Sequence, residues 1–79
     1  MTEEEFSRIK PGNILIMNMD YLSKESSFFY VAYFNYNGAN RRYAKGYYMN
    51  EKMEPHESPN ILYNRFVVSS IFNIKFELI

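Results

Sequence analysis

The 79-residue chain has no cysteine and sets nine basic side chains against nine acidic ones. It is one domain, 1–79, near the lower size limit for a self-sustaining core. The missing thiols exclude disulfides, iron–sulfur clusters and thiolate zinc sites, and a neutral balance argues against coating nucleic acid, which needs a clear positive excess. Fifteen Phe and Tyr rings must then supply much of the core.

Thr2 with Glu5 three residues later makes a capping box, and Glu3 to Glu5 suit the positive end of a helix dipole. Phe6 and Ile9 share one face of that short helix, which Pro11 and Gly12 end. So short a helix is marginal by itself and must dock through Phe6 and Ile9. The acidic opening lacks the basic-then-apolar pattern of a signal peptide. No window reaches the roughly 18–20 apolar residues of a membrane-spanning helix. The expected setting is the cytoplasm, with no membrane partner.

Residues 13–21 read as a first strand in which Ile14, Ile16 and Asn18 alternate with Leu15, Met17 and Met19, apolar on both faces at its start. The run Ile9-Lys10-Pro11-Gly12-Asn13-Ile14 resembles the Lys-x-Gly-Asp-x-Val lead-in to the first strand of SH3-like barrels, with Asn13 where Asp is commoner. A polar turn at 23–27 follows.

Residues 28–48 hold nine of the fifteen rings over an Asn37-Gly38 pair, a β-hairpin signal. With Asn37 and Gly38 as the turn, Phe34 faces Arg41 and Ala32 faces Tyr43. A four-residue loop keeps those faces, whereas a three-residue loop with a bulge flips one arm against the other. On the third strand Ala44 and Gly46 alternate with Arg41, Tyr43, Lys45 and Tyr47. Small residues admit a neighbouring layer and cations resist burial, so Ala44 and Gly46 are expected inside and the other four outside. This stripe is the expected partner-binding surface, with Arg42 and Tyr48 as secondary candidates.

Two prolines and four charges make residues 49–60 an irregular loop. Its Glu51, Glu54 and Glu57 are further secondary candidates, suited to a basic partner. Residues 61–68 read as a fourth strand, Ser69-Ser70 as a tight connection, and Phe72, Ile74, Phe76 and Leu78 as the buried side of a fifth. The expected fold is mainly β: a small five-stranded SH3-like or partly open barrel preceded by a short helix. An antiparallel sheet with the helix on one face is the alternative. The apolar last strand invites edge pairing between copies, hence a homo-oligomer.

Catalytic chemistry finds little footing. His56 is the sole histidine, and beside Glu51, Glu54 and Glu57 it reads as part of a solvated loop, so neither metal nor cofactor is expected. No serine sits in a nucleophile elbow, exposed carboxylates keep pKa values too low for a useful acid, and there is no Gly-rich phosphate loop. The expectation is a non-catalytic protein-binding module, since Tyr- and Arg-bearing surfaces suit interfaces.

Phe, Tyr, Met, Ile, Asn and Lys supply 41 of 79 residues, a bias toward AT-rich codons that points to a low-GC bacterium or one of its phages. In this the chain resembles small phage-encoded proteins that inhibit a host enzyme or defence system by direct binding. The alternative is a single-stranded nucleic-acid binder, stacking bases on Tyr43, Tyr47 and Tyr48 beside Arg41, Arg42 and Lys45. Zero net charge weighs against it.

Overall fold

Five antiparallel strands, β1 (Ile14–Asn18), β2 (Phe28–Tyr36), β3 (Arg42–Met49), β4 (Asn60–Tyr63) and β5 (Lys75–Leu78), form an open sheet in the order β4-β3-β2-β1-β5. The structure is a computed structural model that describes residues 1–18, 27–36, 42–68 and 75–79, excluding the side chains of Asn18, Tyr36 and Lys75. Helices α1 (Glu3–Ser7) and α2 (Asn64–Val68) pack against one face of the sheet and against each other.

The capping box and the burial of Phe6 and Ile9 hold, but α1 stops at Ser7 with Arg8 as its C-cap, so Ile9 lies beyond the helix and Pro11 and Gly12 do not end it. Glu5 N–H donates to Thr2 Oγ1 at 3.1 Å while Thr2 N–H donates to Glu5 Oε1 at 3.0 Å, closing the capping box. Phe6 and Ile9 are buried in the core, and the Phe6 ring meets Phe34 edge-on at 5.4 Å. Lys10 to Asn13 then form a turn closed by Asn13 N–H to the Lys10 carbonyl at 3.0 Å. Pro11 and Gly12 (φ 94°) fill its two central positions as a type II turn requires. Gly12 N–H donates to the Val31 carbonyl at 2.7 Å and Val31 N–H to that of Asn13 at 2.9 Å, so the turn pins the start of β1 onto β2.

The hairpin departs from the simple register. Phe34 pairs with Ala44, not Arg41, and an extra residue, Ala32, sits between the Val31–Gly46 and Tyr33–Lys45 pairs. This bulge reverses the phase of β2. Phe29, Val31 and Phe34 thereby reach the same face, which a regular strand would not allow for Val31 and Phe34. The Asn37-Gly38 turn, Ser69-Ser70, and the outer parts of the expected first and fifth strands (19–21 and 72–74) lie outside the described residues.

Residues 61–68 are not one strand. The strand stops at Tyr63, and Asn64–Val68 form α2, which buries Val67 and sets Phe66 edge-on to Phe76 at 5.8 Å. The connection at 50–59 is ordered by Asn50. Its Oδ1 accepts from the Lys52 and Glu54 amides at 2.9 and 3.0 Å, and its own N–H reaches the Glu54 carbonyl at 3.1 Å.

The fold is thus mainly β, a five-stranded antiparallel open sheet led by a short helix, consistent with the partly open form of the expected architecture. Among the described residues no helix is long and apolar enough to cross a membrane.

Candidate contact face of the sheet

Alternation divides the sheet into two unlike faces. Toward the helices it presents Leu15, Met17, Phe29, Val31, Ala44, Leu62 and Phe76, the core. The opposite face, traced through the pairing register, carries Ile14, Ile16, Phe28, Tyr30, Tyr33, Asn35, Tyr43, Lys45, Tyr47, Met49, Ile61 and Tyr63, with Glu77 opposite Ile16 at the β5 edge. Tyr33 is 52% exposed, Tyr63 46%, Ile61 41% and Tyr30 39%. Tyr43, Tyr47, Phe28, Ile14 and Ile16 are half-buried, and Lys45 is exposed.

The tyrosines touch. The Tyr43 ring lies 6.3 Å from Tyr33 at 43° and 6.0 Å from Tyr63 at 60°, so three rings run in a row across β2, β3 and β4. Such tilted contacts suit the aromatic quadrupole and stiffen the row. Behind it, Lys45 lies between Tyr33 and Ile61, and Tyr47 faces Tyr30, which in turn faces Ile14.

The residues singled out from sequence fall into three groups. Ala44 and Gly46 are buried, and Tyr43, Lys45 and Tyr47 occupy the outer face, as their alternation predicts. Arg41 lies outside the described residues. Arg42 and Tyr48 instead belong to the helix side. Arg42 Nη1 is 3.5 Å from Glu3 Oε2, and Glu3 Oε1 accepts from Asn64 Nδ2 at 2.9 Å, so this carboxylate joins α1, α2 and β3. Tyr48 meets Phe29 edge-on at 5.0 Å, and burial pushes its phenol above the ordinary value.

The acidic loop follows β3, and a Met49–Pro55 bridge ties it to the end of that strand. Glu51, Glu54 and Glu57 are exposed, with Glu54 Oε1 accepting from Asn50 Nδ2 at 3.2 Å. His56 packs 6.3 Å from the Tyr48 ring and donates its backbone N–H to the Tyr48 carbonyl at 2.8 Å. Among the described residues no three His, Asp or Glu side chains are grouped to hold a metal ion.

Sequence reasoning missed Tyr30, Tyr33, Ile61 and Tyr63. Near the turn the two arms pair in the flipped phase (Tyr33–Lys45, Asn35–Tyr43), which puts Tyr33 on the face of Tyr43, and the bulge at Ala32 then brings Tyr30 to that face as well. Ile61 and Tyr63 flank the buried Leu62 and were readable as an exposed pair. No family model, curated protein or solved structure matches the chain.

Proposed function

We propose that the chain is a non-catalytic protein-binding module whose contact surface is the tyrosine-rich face of the sheet. The observation that carries this reading is the Tyr33–Tyr43–Tyr63 row, with Tyr30 and Ile61 exposed beside it, on the side opposite both helices. Tyrosine supplies large contact area at low entropic cost and dominates interface hot spots. The module acts by covering a surface of its partner, in the manner of a small phage-type inhibitor of a host enzyme or defence system, working in the cytoplasm.

Two features favour protein over nucleic acid. Each neighbouring pair of rings in the row is tilted, at 43° and 60°, so neither pair presents parallel faces to sandwich a base. Arg42, one of the cations expected to guide a phosphate backbone, faces Glu3 on the helix side. The test is capture from an extract of the source cells. Wild type should retain a protein that Tyr43→Ala/Tyr47→Ala releases, and equal capture by both would remove this face from the interface. A labelled single-stranded oligonucleotide is the counter-probe. Binding that weakens steeply with salt and is lost in Lys45→Ala would move the assignment to nucleic acid.

A further inference from the structure

We infer that the partner of this face presents a carboxylate to Lys45, from an Asp or Glu flanked by apolar side chains. The inference rests on the reading of the face as a protein contact surface and names the chemistry of what docks there.

Lys45 is the one charged side chain that the described residues of β2, β3 and β4 place on the outer face. It stands inside the aromatic patch. Tyr33 and Ile61 face it across the neighbouring strands, and Tyr43 and Tyr47 lie two residues to either side on β3. Among the described residues no hydrogen bond or ion pair engages its ammonium, whereas Arg8 is held by Glu4 and Arg42 by Glu3.

Position turns this into a requirement. A partner broad enough to cover Tyr33, Tyr43, Tyr47 and Ile61 strips water from the Lys45 head at their centre. Desolvating an ammonium without a counter-charge opposes binding strongly enough to cancel much of the gain from the surrounding rings. A carboxylate supplied from the partner removes that penalty, and the ring of tyrosines excludes water from the pair. Apolar residues on both sides of the acid are needed to meet Tyr33, Tyr43, Tyr47 and Ile61. Lys45 repels a cationic partner, and among the described residues of β2, β3 and β4 a phosphate chain finds a single cation on this face.

The probe is a displayed library of random peptides, selected in parallel against wild type, Lys45→Met and Lys45→Glu, each confirmed folded by circular dichroism. Wild type should enrich peptides with one Asp or Glu between apolar residues. Replacing that acid by Asn or Gln in the synthetic peptide should weaken binding about tenfold or more. Lys45→Met should lose the acidic preference and Lys45→Glu should exchange it for Lys or Arg.

Acidic peptides that bind Lys45→Met within about twofold of wild type would overturn the inference, because the ammonium then escapes to solvent along its stem. Peptides that need Tyr43 and Tyr47 yet carry no acid would defeat the Lys45 pairing and leave the contact face standing. Peptides indifferent to Tyr43→Ala/Tyr47→Ala, or no enrichment on any bait, would defeat both.

Discussion

At Gly46 the β2–β3 hairpin has no room for a side chain. A methyl group there would sit 1.7 Å from the Tyr30 carbonyl oxygen and 3.1 Å from the Ala32 amide nitrogen. Both are backbone atoms of the bulged strand and cannot swing away as a side chain would. Gly46→Ala should therefore destabilise by roughly 3 kcal/mol or more, the upper range for overpacking, read as a lower midpoint of denaturant unfolding. Ordinary stability in Gly46→Ala would mean that the bulge is misplaced. Glu5 gives a second test at this scale. Hydrogen bonds from the Thr2 backbone N–H and then its hydroxyl hold its carboxyl below the ordinary value of 4.5. A carboxylate with a depressed folded pKa stabilises fully above its unfolded pKa, and that contribution fades as pH falls through the folded value. Wild type should lose stability in this window below 4.5, and Glu5→Gln, which can keep the box with a neutral group, should show a flatter profile there in pH-dependent thermal melts.

Helix α1 has five residues and no independent stability; it exists because Phe6 is fully buried against Phe34. Phe6→Ala should cost about 3–5 kcal/mol, a large share of what so small a domain has, and should melt α1 and loosen α2 together in hydrogen exchange. Loss of α1 protection with α2 unchanged would contradict their packing as a pair. The elements also show what local sequence can specify. The capping box, the Pro11-Gly12 turn and the inward Ala44 and Gly46 are legible because each depends on residues within a few positions. The bulge at Ala32 is not, since nothing local marks it. Its support comes from across the hairpin, where Gly46 yields the space. Helix α2 is hidden for a similar reason: Phe66-Val67-Val68 carries β-forming side chains, and the contacts of Val67 and Phe66 with the core override that propensity.

For the whole molecule, the consequence is a sheet with both described helices on one side and a field of tyrosines on the other. Part of that field was readable: Tyr43, Lys45 and Tyr47 follow from alternation on one strand. The rest required tertiary structure, because only the register of three strands brings Tyr33 and Tyr63 to either side of Tyr43. The acidic loop was a secondary candidate in sequence terms, and Glu51, Glu54 and Glu57 lie on none of the strands that carry the tyrosine row. The two surfaces can therefore be altered separately. Each cross-strand aromatic contact is worth about 0.2–1 kcal/mol, so Tyr33→Ser/Tyr43→Ser/Tyr63→Ser should remain folded. The most direct measurement is partner capture by that variant beside Glu51→Gln/Glu54→Gln/Glu57→Gln. The tyrosine variant should lose the partner while the loop variant retains it at the wild-type level; retention by the tyrosine variant, or loss through the loop alone, would contradict the assignment of this face.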